Sequence, residues 1–340
     1  MKKYIGLIFL LTLVLSACGN ETPNEDSADN QLKINTTVYP LQYFTKQIAG
    51  DAAQVTSILP PGTDPHTYEP TTKEMIKIAE ADAFIYSGAG LESYAETIAE
   101  SVKPEGVQIL EASMGVKLEE HVHNHDDEEN SHGEGEQAER SHSHKEGKES
   151  EEEAHLHEEG HSHDHQGQDP HIWLDPIRSI QLAENIKEVL IELQPGSESQ
   201  FNKNFNQLEE KLLTLDQQFH DQLENTPKDK IIVSHAAYGY WEQAYGIEQI
   251  AVSGLSPTSE PSQKELEEII QTAEKNQLNY VLFEQNVTPK VSEIVQNEIG
   301  AEPLRIHNLS VLTDEDISNE EDYFSLMKQN LEVLIKALSK

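Results

Sequence analysis

Short apolar runs alternate with amphipathic stretches along most of this 340-residue chain. KINTTVYP (33–40) has strand character, and LQYFTKQIAG after it has helical spacing. AQVTSILP (53–60) predicts a second strand. Thr71 to Ala81 predicts a helix, because Thr71 and Glu74 have the spacing of a capping box. DAFIYSG (82–88) predicts a buried strand, LESYAETIAES a helix, and VQILEAS (107–113) a further strand.

The pattern stops between Glu119 and Gln168, where apolar residues nearly vanish and Glu, Asp, His, Ser and Gly replace them. Such a segment cannot bury enough surface to offset its ordering entropy, so its composition predicts a disordered insertion. Periodicity returns at Asp169. Ile180, Ala183, Ile186, Val189, Leu190 and Leu193 mark one face of a helix over 177–193. Asp175 and Pro176 suit its N-cap and first position. Pro195-Gly196 ends it, and a second long helix is predicted over about 198–225.

The strand–helix rhythm then resumes. KIIVS (230–234), IEQIAVSG (247–254), NYVLFEQ (279–285) and EPLRIHNL (302–309) predict strands. Helices are predicted over Ala236 to Tyr245, from Ser262 through Asn276, from Pro289 to Ile299, and from about Glu320 onward. Strands alternating with helices favour parallel sheets. The expected fold is α/β, with two lobes that each hold a mainly parallel sheet flanked by helices. The expected division is 32–118 for the first lobe, 119–168 for the insertion, 169–176 for a returning segment, 177–194 for a linking helix and 195–340 for the second lobe.

The N-terminus changes the picture of where this chain works. Lys2 and Lys3 precede an apolar run from Tyr4 to Leu15 that is too short for a membrane span of about 20 residues. Leu15-Ser16-Ala17-Cys18 follows, with Gly19 after it. This resembles the cleavage site of bacterial lipoproteins and implies a signal peptide over 1–17, with Cys18 as the lipidated residue. Residues 18–31 then form a flexible tether. Cys18 is the only cysteine, so no intramolecular disulfide can form. The expected protein is exported, lipid-anchored on the extracytoplasmic face of the cell membrane, and monomeric.

The formal charge of −38 argues against nucleic acid as a partner, since phosphate binding needs Lys and Arg. It suits a protein that attracts cations. Sixteen histidines sharpen that reading. Eleven fall in the insertion, several in H-x-H pairs: His121, His123 and His125; His142 and His144; His155 and His157; His161, His163 and His165. Short His-rich tracts of this kind read as metal-binding. Without fixed geometry, each site is expected to be weak. HEEGH at 157–161 matches the zinc-protease pattern, but that pattern needs a stable helix. Gly160 and the lack of apolar neighbours argue against one.

Three other histidines stand at junctions of predicted structure. His66 lies in DPHTYEP (64–70) and His171 in DPHIWLDP (169–176), two stretches with one grammar. The prolines stiffen both loops. His235 follows Ile231-Ile232-Val233 at a strand's carboxyl end, where open α/β sheets bind ligands. Jointly the three favour a metal site between the lobes. His220 reads as solvated, and His307 is a weaker candidate.

LSAC, PPGTDPHTYEP, the His- and acid-rich insertion, DPHIWLDP, VSHAAYGYW and LSPTSEPS together resemble the metal-binding subunits of zinc and manganese ABC importers, most closely the high-affinity zinc-uptake type. The resemblance implies two α/β lobes bridged by one long rigid helix, with Zn2+ held between them as transported ligand by His66, His171 and His235. It implies an ABC permease with its ATPase as partner, and no enzymatic activity. Many members add an acid from the loop after the last strand. Here Asn308 or Ser310 occupies that place, so water, His307 or an insertion histidine would complete the shell.

Three imidazoles suit zinc, and carboxylate-rich sites suit manganese. Three protein ligands and an open position also describe catalytic zinc. A manganese-binding or adhesin-type relative and a secreted zinc hydrolase are therefore the competing expectations. Glu69 and Asp175, near the histidines in sequence, are expected to cap helices or support ligands.

Overall fold

The computed structural model describes residues 31–119, 167–287 and 289–339. The signal segment, Cys18, and the insertion histidines from His121 to His165 lie outside the described residues.

The first sheet is built from β1 (Leu32–Thr36), β2 (Ala53–Ser57), β3 (Ala83–Tyr86) and β4 (Gln108–Glu111), all parallel, in the order β2-β1-β3-β4. Every residue of β3 is buried, as a strand covered on both faces must be. Between the strands run α1 (Tyr39–Ala49), α2 (Thr72–Ala79) and α3 (Ala95–Val102). The first strand is shorter than the sequence pattern suggests. Pro40 falls in the first turn of α1, where its missing N–H costs nothing, so the helix begins at Tyr39. α2 carries the expected capping box of Thr71 and Glu74.

The second sheet repeats this plan. β5 (Lys230–His235), β6 (Glu248–Ser253), β7 (Tyr280–Glu284) and β8 (Glu302–Ile306) are parallel in the order β6-β5-β7-β8. α6 (Gly239–Tyr245), α7 (Gln263–Lys275) and α8 (Lys290–Glu298) alternate with them. Ser262 and Glu265 cap α7 as expected. The chain ends in α9 (Asp314–Ser318) and α10 (Tyr323–Leu338). In both sheets the first and third strands of the lobe are neighbours. The chain winds away from that pair in opposite directions, which makes it the switch point where ligands bind in such sheets.

Two helices carry the chain between the lobes. α4 (Pro176–Leu193) starts where Asp175 accepts the amides of Ile177 and Arg178 at 2.8 and 3.0 Å. It packs on α1 and β4. α5 (Glu198–Leu223) is the longest helix, and it packs on α1 of the first lobe and on α6 and α10 of the second. The linking role expected of 177–194 is thus shared with α5. Its buried Phe201, Phe205, Leu208, Leu212, Leu215, Phe219 and Leu223 recur every three or four residues and form the stripe that touches both lobes.

One buried core runs through both lobes rather than stopping at their boundary. Tyr43 and Phe44 of α1 lie against Tyr323 of α10, with ring centroids 6.0 and 5.0 Å apart. A smaller core of Ile232, Val252, Val281, Phe283 and Val295 fills the space under α7 and α8. A continuous core resists rigid-body opening, because sliding the lobes apart would expose these aromatic faces to water.

Candidate metal centre

His66, His171 and His235 converge, with one ring nitrogen of each lying within 4.8 Å of the others. The Nε2 atoms of His171 and His235 are 3.3 Å apart. His171 and His235 are each 1% exposed, and His66 is part-buried.

Each imidazole is placed by its own piece of local chemistry. The two Asp-Pro-His stretches share a geometry as well as a spelling. Asp64 Oδ1 accepts the His66 amide at 3.0 Å, and Asp169 Oδ1 accepts the His171 amide at 2.9 Å. Such Asx turns fix the backbone two residues beyond the aspartate. At the second stretch the same oxygen also meets His171 Nδ1 at 2.8 Å. His235 ends β5, and its Nδ1 is 2.7 Å from Oε1 of Glu284, the last residue of β7. That contact is short, but its angle is not that of a hydrogen bond. Glu284 Oε1 accepts the Tyr238 hydroxyl at 3.1 Å.

The segment carrying His171 is gripped by the second lobe. The Tyr240 hydroxyl donates to the Asp169 carbonyl at 2.6 Å, and Trp241 Nε1 donates to the Leu174 carbonyl at 2.7 Å. Trp173 Nε1 donates to the Asn308 carbonyl at 2.8 Å, and the Tyr323 hydroxyl donates to the Trp173 carbonyl at 2.6 Å. DPHIWLDP is therefore a buried strap across the lobe boundary. His171 and His235 form one fixed pair, which His66 meets from the β2–α2 loop.

The surroundings of His66 favour its neutral form. Burial, reinforced by His171 and His235, holds the His66 imidazole down to about 2, so a proton does not compete for it near neutrality.

The remaining sequence candidates fall outside this cluster. His307 is fully occupied elsewhere. Its Nδ1 accepts the Leu309 amide at 2.9 Å, and its Nε2 meets Asp316 Oδ2 at 3.1 Å. An accepting Nδ1 places the neutral proton on Nε2, so neither nitrogen offers a lone pair to a metal. Asn308 Oδ1 receives Ser310 N, Ser310 Oγ and Gln285 Nε2, at 3.0, 2.8 and 2.9 Å. The loop over 308–310 is thus closed on itself. Asp175 caps α4, Glu69 is exposed, and His220 is exposed beside Asp216. Asp169 and Glu284, which touch the rings of His171 and His235, are not singled out by the sequence. Asp169 stood in the motif but carried no signal of its contact with the ring, and Glu284 reaches His235 only through sheet register.

The fold and this triad define a protein of two α/β lobes with a candidate metal centre. Residues 34–337 match the family described as zinc-uptake complex component A, periplasmic. The chain belongs to that family, whose description is of a transport component and not an enzyme. It is 30% identical to the high-affinity zinc uptake system protein ZnuA of Bacillus subtilis, over 99% of this chain and 98% of the relative. It is 34% identical to the zinc-binding lipoprotein AdcA of Streptococcus pneumoniae (strain ATCC BAA-255 / R6), over 98% of this chain but 60% of that relative. The chain thus spans about three fifths of the AdcA proteins it matches. The crystal structure of the Zn(II)-bound ZnuA-like domain of Streptococcus pneumoniae AdcA covers 91% of this chain and 100% of its own. The two share 30% identity and a TM-score of 0.69.

Proposed function

We propose that this chain is a lipid-anchored, extracytoplasmic zinc-capture protein that acts as a monomer and passes Zn2+ to an ABC permease driven by its ATPase. The observation that carries the reading is the convergence of His66, His171 and His235 on one buried point. Three neutral imidazoles suit zinc in donor softness and charge. No carboxylate among the described residues joins them in the cluster, and Asn308 and Ser310 are hydrogen-bonded to each other, which weighs against manganese. A water is the simplest fourth ligand.

Cys18 would hold the protein to the membrane through a lipid, with residues 18–31 as tether. The insertion histidines (His121, His123, His125, His142, His144, His155, His157, His161, His163 and His165) would collect zinc loosely around the tight site. The hydrolase reading lacks a support of its own. Glu284 and Asp169, the nearest buried carboxylates, face ligand rings rather than the open position.

Zinc titration against a competing chelator separates these roles. His171→Ala is expected to weaken the tight site about 100-fold, since binding energies of about 10–16 kcal/mol shared among four ligands give about 3 kcal/mol each. Deleting residues 119–166 should remove weak sites and leave the tight one. The reverse pattern would move the tight site into the insertion and overturn the assignment.

A further inference from the structure

Two buried carboxylates stand behind the histidine cluster, one on each of two rings. Asp169 is 1% exposed and Glu284 is 0% exposed. Each meets the Nδ1 of its histidine, at 2.8 and 2.7 Å, and the two Nε2 atoms face each other across 3.3 Å. Both rings are therefore turned the same way, with a carboxyl group beside Nδ1 and with Nε2 facing the other ring. The first lobe's strap supplies one carboxylate and the second lobe's switch point supplies the other. His235 and Glu284 each lie two residues beyond the paired Val233 and Leu282, so the sheet register sets them side by side on one face.

The charges are the informative part. A divalent cation on three neutral imidazoles brings two positive charges into a site from which water is largely excluded. A buried ion needs compensation, or its desolvation cost is not recovered. The loop at Asn308 and Ser310 provides no anionic ligand. Asp169 and Glu284 are the two buried carboxyl groups that touch these rings. Glu284 Oε2 is buried, with no hydrogen-bond partner among the described residues.

Resting on the three-histidine zinc reading, we propose that Asp169 and Glu284 are positioning residues whose paired negative charge, transmitted through His171 and His235, balances the bound divalent cation in place of an acidic ligand. The imidazole is the conductor, because a ring whose Nδ1–H faces an anion becomes a stronger donor at Nε2. The pair thereby combines a neutral, imidazole-only inner surface with a charge-balanced whole. That combination favours a borderline-soft divalent ion over hard cations that require direct oxygen ligands.

The test uses the whole protein and zinc alone, with Glu284→Gln, Asp169→Asn and the two alanine variants. Gln and Asn keep an oxygen to face Nδ1 and remove only the charge. Each should weaken zinc binding about 10–100-fold, the usual range for a group behind a metal ligand. The zinc-free Glu284→Gln protein should unfold no more easily than wild type, because a buried charge has been removed. With Co2+ as a probe, the visible absorption bands of the Gln and Asn variants should keep their positions, since the ligands are unchanged. If the Gln and Asn variants bind zinc like wild type and only the alanine variants weaken, the carboxylates orient rings and balance no charge, which overturns the inference. A lower zinc-free unfolding midpoint with intact affinity also overturns it. A wild-type protein without a tight zinc site would instead overturn the function reading on which the inference rests.

Discussion

The Nε2 atoms of His171 and His235 lie 3.3 Å apart although 64 residues separate them in the chain. Neither histidine is held by its neighbours in sequence alone. Tyr240 and Trp241 of the second lobe fix the strap that bears His171, and β7 fixes His235 through Glu284. The pair is set before any metal arrives, so little ordering cost remains for binding.

Gly239 is part of that arrangement. A Cβ there would sit 2.6 Å from Asp169 Oδ2 and 3.4 Å from Gln249 Nε2. Only a residue without a side chain lets α6 come so close to the aspartate that backs His171. Gly239→Ala should therefore displace the Asp169 carboxylate and weaken zinc binding by about tenfold or more. Chelator competition measures the affinity, and circular dichroism checks that the fold persists. Unchanged affinity in a folded variant would show that Asp169 is free to shift without affecting His171.

His307 should behave oppositely to His66, His171 and His235. It holds the Leu309 amide and Asp316, its backbone amide donates to Asn330 Oδ1 at 2.8 Å, and its carbonyl accepts Asn330 Nδ2 at 2.7 Å. His307→Ala is expected to cost about 1–3 kcal/mol of stability, the range for leaving buried polar partners unpaired. Zinc affinity should stay within about threefold. A loss comparable to that of His171→Ala would make His307 a ligand after all.

Much of this architecture is readable in the chain. The capping pairs Thr71–Glu74 and Ser262–Glu265 start helices where their spacing says they should, and Asp175-Pro176 starts α4. Such signals are local, so a single sequence carries them. The two Asp-Pro-His stretches are legible as stiff loops for the same reason. What escaped is long-range. The sharing of the bridge between α4 and α5 depends on which helix face meets which lobe. Glu284 sits in an ordinary apolar strand, and only the pairing of β5 with β7 brings it to His235. The short helix α9, capped by Thr313 and Asp316, is not legible in the sequence, because five residues are too few to show a period.

Stability of the zinc-free protein should carry two opposing pH dependences. Burial, with His171 and His235 beside it, holds His66 down to about 2, whereas an unfolded histidine takes a proton near about 6.5. Between those values the unfolded chain binds the extra proton, so falling pH destabilises the fold by up to about 1.4 kcal/mol per unit. Glu92 acts the other way. Burial raises it to about 7, only partly offset by donors from Thr37, Ser87 and Gly88. Its ordinary value is 4.5, so from there up to about 7 the folded chain keeps a proton that the unfolded chain loses. Rising pH then destabilises the fold across that window. Relative to wild type, His66→Ala should lose stability more steeply from pH 5 to 6.5, and Glu92→Gln should gain it. Denaturant midpoints at several pH values measure this, and parallel curves for all three proteins would contradict both assignments.

The most direct test of the account is a crystal grown with zinc and measured on both sides of the zinc absorption edge. A single strong anomalous peak is expected between the lobes, about 2.0–2.1 Å from one ring nitrogen each of His66, His171 and His235. Asp169 and Glu284 should remain behind their rings. A peak that lacks any one of these histidines, or that lies on a carboxylate of the cleft instead, would contradict it.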